Sequence, residues 1–204
     1  MFKKMATDAL GLSDIGSVIS PEDYDKVDAD DYVMHEDGEK IYFLIKPKAD
    51  EYCFTNKALI HVDGTSATSK KRTLRRYPYY THTFSNIELE TAGTIDLDVE
   101  IKFNLGNEEF DIDVHKKFIE EVKDLYKSLL KISETSEENK TFSDYAHQSL
   151  NTASATLQNS RTHETRLSHE FRDINETTFN WLLETKNQYH VKDFGHVFEL
   201  FIKS

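Results

Sequence analysis

The strongest constraint on this chain is a succession of short β-rich runs with almost no room between them. Strand-like segments fall at about 40–47, 51–56, 58–63, 69–77, 82–91, 94–105 and 108–114. Their connections are too short for crossover helices, so the pairing is expected to be antiparallel. The clearest run is Thr94 to Leu105, where Ile95, Leu97, Val99, Ile101, Phe103 and Leu105 alternate with Thr94, Asp96, Asp98, Glu100, Lys102 and Asn104. Side chains alternate across a strand, so one face is core and the other wet. Gly106-Asn107 supplies a two-residue turn into a run whose inward residues would be Phe110, Ile112 and Val114. That turn sets Lys102 opposite Asp111 and Glu100 opposite Asp113, the second a like-charged pair that costs stability unless something neutralises it. Tyr52 to Gly64 reads as a hairpin that turns at Asn56-Lys57 and is closed by Asp63-Gly64.

From Lys116 the period changes. Phe118, Val122, Leu125, Leu129 and Ile132 recur at intervals of four and three, the stripe of an amphipathic helix. A flat seven-stranded sheet would leave its edges unprotected. The expected architecture is therefore α+β, a seven-stranded antiparallel bent sheet or partly open barrel capped by that C-terminal helix. Ahead of it, Ser20-Pro21-Glu22-Asp23 predicts a short helix from Pro21 to about Ala29, and Phe2, Met5, Ala9 and Leu12 mark a short amphipathic helix at the N-terminus.

Behind the capping helix, Ser133 to Lys140 holds no large apolar residue and reads as a linker. The tail is a different kind of sequence. Residues 141–160 carry only a sparse stripe; a second helix follows with Leu167, Phe171, Ile174, Thr178 and Trp181 at helical spacing, and a bend is expected at Asn159 to Thr162. Phe194, Val197, Phe198, Phe201 and Ile202 form a short third helix. The expected division is 1–132, linker 133–140 and tail 141–204. So small a tail cannot bury enough apolar surface by itself, and must pack on the β domain or on another copy; Leu167, Phe171, Ile174 and Trp181 are its packing residues.

Composition narrows the function. A net charge of −12 argues against nucleic acid as a partner. The lone Cys53 permits no intrachain disulfide and points to a reducing cytoplasm. No uninterrupted apolar run reaches the roughly 18 residues of a membrane span, and Asp8 interrupts any secretory hydrophobic region. No G-x-S-x-G, G-x-x-x-x-G-K-[ST] or G-x-G-x-x-G motif is present, and His163/His169 and His190/His196 are not spaced as a helical zinc pair. No catalytic residue, cofactor or resident metal is expected.

Two charged surfaces stand out. Lys70, Lys71, Arg72, Arg75 and Arg76 form the dense basic cluster of an acidic chain. They suit an anionic partner, which could be a lipid headgroup, a phosphate or an acidic strip on a neighbouring subunit, and they equally suit a solvated edge strand guarded against pairing. Asp96, Asp98 and Glu100 with Glu109, Asp111 and Asp113 project from one face of adjacent strands. This is either a wet face or a set of oxygen ligands lacking the loop of a dedicated cation site. Together the two surfaces suggest a heterologous contact between copies that closes into a ring.

Four ordered motifs resemble the bacterial pleckstrin-homology domain family: Phe54 to Gly64, Lys70-Lys71, Tyr77-Pro78-Tyr79, and Glu90-Thr91-Ala92-Gly93 with Asp96-Leu97-Asp98. The resemblance covers about residues 20–132. The tail is similar to the helical-hairpin oligomerisation region that follows this domain in YvbH-like proteins. The resemblance implies a pleckstrin-homology-like barrel and a tendency to form homo-oligomers, with no established enzymatic activity. Eukaryotic relatives grip phosphoinositides with a long basic loop between the first two strands, whereas here that connection is Lys46-Pro47-Lys48-Ala49-Asp50-Glu51, short and ending in acids.

Overall fold

The structure, a computed structural model, describes residues 15–64, 72–91, 97–159 and 167–202. The expected N-terminal helix, the bend after Asn159, and Lys70, Lys71, Ile95 and Asp96 lie outside the described residues. Among the described residues, eight strands form two antiparallel sheets. β1 (Ser17–Val18), β2 (Ile41–Lys46), β3 (Glu51–Thr55), β4 (Ala58–Gly64) and β5 (Arg72–Pro78) pair in that order, and β6 (Phe84–Glu90), β7 (Asp98–Leu105) and β8 (Glu108–His115) make the second sheet. A bridge between Gly16 and Val114 links the sheets at one side. Among the described residues no ladder joins β5 to β6, so the barrel is not closed.

The β7–β8 register is the one the Gly106-Asn107 turn dictates: Glu100 faces Asp113 and Lys102 faces Asp111. Val99, Ile101, Phe103, Leu105, Phe110, Ile112 and Val114 are all buried. Leu97, expected on the same face, precedes the strand and is exposed. In the core, Phe103 stacks on Phe110 at 5.0 Å and meets Phe54 and Phe84 edge-on at 6.0 and 5.5 Å. In the five-stranded sheet the middle strands β2, β3 and β4 are buried on both faces, while β5 is largely exposed. The outer side chains Leu44, Cys53, Ile60 and Val62 are covered by Val27, Ala29 and Val33.

Two 3₁₀ turns, Pro21–Lys26 and Asp28–Tyr32, stand where one short helix was expected; Ala29 lies in the second, and Val27 and Val33 flank it. The break is at Val27, whose backbone is extended and whose side chain enters the core. Glu51 of β3 then accepts from the Asp28 and Ala29 N–H groups at 3.3 and 2.7 Å and pairs with Lys46. A carboxylate at the start of a helical turn satisfies donors that have no other partner. Asp63-Gly64, expected as a turn, instead continues β4 opposite Thr73 and Arg72. Glycine is required there because a Cβ would lie 2.4 Å from the Ala49 carbonyl oxygen.

The expected linker at 133–140 is helical. α1 runs unbroken from Ile119 to Asn159, because Ser133 to Lys140, though polar, contains neither Gly nor Pro and includes good helix formers. Its first turns bury Val122, Leu125, Leu129 and Ile132, and Ser133 Oγ donates to the Phe84 carbonyl at 2.7 Å. α2 spans Leu167–Tyr189 and α3 spans Gly195–Phe201. The chain divides into two compact units: residues up to 133 with those from 192 onward, and residues 134–191. The last helix, expected in the tail, thus belongs to the β unit. Phe194, Val197 and Phe198 supply the reason, since all three are buried there.

Candidate interaction surfaces

The basic strand is β5, and its alternation decides the fate of each arginine. Arg72 and Arg76 lie on the face covered by the N-terminal turns, where Arg72 Nε meets Asp28 at 3.3 Å and Arg76 Nη2 meets Glu39 at 2.8 Å. Arg75 points the other way and pairs with Asp63 at 3.0 Å. Glu39 is wholly buried and also accepts from the Met34 N–H at 2.9 Å and from Thr55. Burial alone would raise its pKa, but hydrogen bonds from Arg76, Thr55 and Met34 outweigh that and hold the carboxyl below its usual range. Arg76, expected on an outward interaction surface, is therefore part of an internal ion pair. Each described arginine of the strand is matched by an acid of the same chain.

The acidic strip forms as the register requires, with Glu100, Asp111 and Asp113 bringing carboxylate oxygens within 4.8 Å of one another. Asp98 and Glu109 flank them on the same two strands. Lys102 moderates the repulsion by contacting Glu100 at 2.8 Å and Glu90 at 3.3 Å. Partial desolvation, then proton sharing with Glu100, pushes Asp111 up to about 6, while Lys102 holds Glu100 low. Of the three carboxylates, Asp111 is thus the one that the strip disposes to hold a proton.

In the helical unit, α2 leaves large apolar side chains in solvent. Phe171 is 73%, Phe179 63%, Leu183 46% and Ile174 44% exposed. Trp181 is half-buried, and Leu167 begins the helix. Of the four residues expected to pack the tail, Phe171 and Ile174 are not covered within a single chain. Phe142 and Tyr189, stacked at 5.7 Å, make the one ring contact between the two helices among the described residues. Phe179 and Leu183 were not singled out by the four-three spacing. They are one turn apart on another side of α2, and that i, i+4 pair was their available signal.

The remaining surface was not anticipated from sequence. The C-terminal segment from Lys192 seats on the β3–β4 turn. The Phe194 N–H donates to the Asn56 carbonyl at 2.7 Å, and Asn56 Nδ2 donates to Asp193 at 2.6 Å. Tyr42 stacks on Phe198 at 5.3 Å and its hydroxyl donates to Glu199 at 2.7 Å. Tyr79 packs against both Phe194 and Phe198, and Lys192 lies over the Tyr80 ring. Asn56 serves here through its side chain and carbonyl, not through a positive φ. At Gly195 a Cβ would come within 2.8 Å of the Tyr42 hydroxyl and 3.3 Å of Asn56 Cβ.

Two titratable groups in the β unit are shifted by burial. Burial pushes the Cys53 thiol far up, which keeps it protonated and inert. His61, stacked on Tyr52 at 4.6 Å, is held below its usual range by burial.

Known proteins match this chain in two stretches, the second of which takes in the last helix as well as the arm. Residues 9–133 match the bacterial PH domain family, and residues 144–204 match the YvbH-like oligomerisation region. The protein YvbH of Bacillus subtilis (strain 168) is 61% identical over 204 residues, covering 100% of both chains. YjqA of the same organism is 38% identical over 73 residues, 36% of this chain and 57% of its own length. The crystal structure of a PH-domain-containing protein from Exiguobacterium sibiricum 255-15 aligns with a TM-score of 0.86 at 49% identity, covering 93% of this chain and 100% of that one.

Proposed function

We infer a role from the premise that this chain belongs to the bacterial PH domain family and continues into a region of the YvbH-like oligomerisation type. It acts as a non-enzymatic, homo-oligomeric scaffold or interaction module of the cytoplasm. Copies associate through the helical arm, residues 134–191. One observation carries this reading: Phe171, Ile174, Phe179 and Leu183 lie exposed along a single helix of 23 residues. Exposed apolar side chains clustered on one element mark a protein contact more often than a solvated face. The mean hydropathy of the whole chain is −0.62, so these residues are not part of a generally apolar surface.

The arm is favoured over a contact between strand 69–77 and the acidic strip. In that strand Arg72, Arg75 and Arg76 already have acidic partners in the same chain. The same pairing weakens the alternative in which the strand grips an anionic ligand or a membrane surface. Phe171→Glu with Ile174→Glu puts two charges into the arm contact, and the light-scattering mass should fall while circular dichroism stays native. An unchanged mass would refute the arm as the contact. Pelleting with anionic vesicles at low salt and release at high salt would point instead to the membrane-binding alternative.

A further inference from the structure

We propose that the groove formed by Tyr42, Asn56 and Tyr79 is a recognition site for the chain's own segment 193–199, and that docking of this segment governs self-association of the helical arm. The claim rests on the reading of the arm as the oligomerising unit. The segment is read in three ways. Its backbone is read by the Phe194 N–H to the Asn56 carbonyl, and its acids by Asn56 Nδ2 on Asp193 and the Tyr42 hydroxyl on Glu199. Its aromatic rings are read by Tyr42 and Tyr79, against which Phe194 and Phe198 become fully buried. The fit is tight at Gly195, where a methyl group would meet the Tyr42 hydroxyl at 2.8 Å and the Asp193 carboxylate at 3.1 Å and would push one of them aside.

Position in the chain gives this contact its consequence. The chain leaves the β unit after Ser133 and re-enters it at Lys192, so a docked segment anchors the arm at both of its ends. Residues 190–194 between α2 and α3 have no regular structure, and α3 has only seven residues. Undocking breaks no strand pairing, but it uncovers Phe194 and Phe198, which are 1% and 0% exposed when docked against Tyr79. Undocking leaves the arm attached at one end only. The conformational freedom it gains must then be lost again on association, which weakens the oligomer.

The test uses the full chain and three variants: Gly195→Ala, Tyr42→Phe, and the two together. Alanine is the better helix former, so propensity alone would strengthen α3. If the groove recognises the segment, Gly195→Ala should instead raise amide exchange in residues 192–202 at least tenfold. The dissociation midpoint seen by light scattering should move to a higher concentration by a similar factor. Adding Tyr42→Phe removes the clashing oxygen, at the cost of the bond to Glu199, and should restore most of the protection and the mass. Gly195→Ala with unchanged exchange would overturn recognition by the groove. Raised exchange with an unmoved mass-against-concentration curve would overturn its control of association. A wild-type chain that stays single at every concentration would overturn the oligomer reading on which the proposal rests, whatever the exchange data show.

Discussion

Arg75 and Arg76 are sequence neighbours of the same charge on one strand, and reversing each of them separately should give very different results. Arg75 and Asp63 are 46% and 36% exposed at the side chain, whereas Arg76 is 24% exposed and its partner Glu39 is 0% exposed. A solvent-exposed pair contributes roughly 0–1 kcal/mol. Breaking a buried pair by removing one partner costs about 3–5 kcal/mol, because the remaining charge stays in a poorly solvated site. Arg76→Glu goes further by setting a second carboxylate against Glu39. For a chain of this size each kcal/mol shifts the melting temperature by about 2–4 °C. Arg75→Glu should therefore lower it by a few degrees at most, and Arg76→Glu by about 10 °C or more. Near-ultraviolet circular dichroism follows the buried aromatic cluster of the β unit, with a contribution from Trp181 and the Phe142–Tyr189 stack of the arm. Equal shifts for the two reversals would refute the assignment of Arg76 to the interior. Because the self-contact is placed on the arm, Arg75→Glu should also leave the solution mass unchanged.

Two further outcomes concern pH. Asp111 is raised to about 6 from an ordinary value of 3.8, so the site contributes stability that is present below about pH 4 and lost as pH rises through about 6. Asp111→Asn should stabilise the β unit at pH 7 by at most about 1 kcal/mol, after discounting for solvent screening, and the gain over wild type should vanish near pH 4 in urea titrations. His61 has the opposite sign. Burial holds its imidazole below the usual range, so below about pH 6.5 the unfolded chain takes up a proton that the folded one resists, and stability falls. His61→Phe keeps the stack on Tyr52 and should flatten the loss of urea midpoint between pH 7 and pH 5; an unchanged slope would assign that loss to other groups.

Features decided by local pattern were legible in the sequence. Alternation from Val99 to Leu105, the Gly106-Asn107 turn and the four-three stripe from Val122 to Ile132 determine strand faces, register and capping helix, because each rests on residues close in sequence. The same alternation sets the neighbours Arg75 and Arg76 on opposite faces of their strand. It could not say which face the N-terminal turns would cover, and so missed that Arg76 meets Glu39, 37 residues earlier. The linker reading at 133–140 mistook polarity for a break, although an exposed helix is polar all round where it packs on nothing. The docking of Phe194 and Phe198 was hidden for a similar reason. Their apolar character was plain, but Tyr42, bonded to Glu199, lies 157 residues away, and no periodicity links such positions.

The central claim is that this chain self-associates through its arm, and the mass of the unmodified protein in solution tests it most directly. Light scattering on the full chain at micromolar concentration should give an integer multiple, two or greater, of 23.7 kDa. The mass should shift toward the single chain for Phe171→Glu/Ile174→Glu at the same concentration. A wild-type mass of one chain, or a multiple that the two arm substitutions leave intact, would contradict the account.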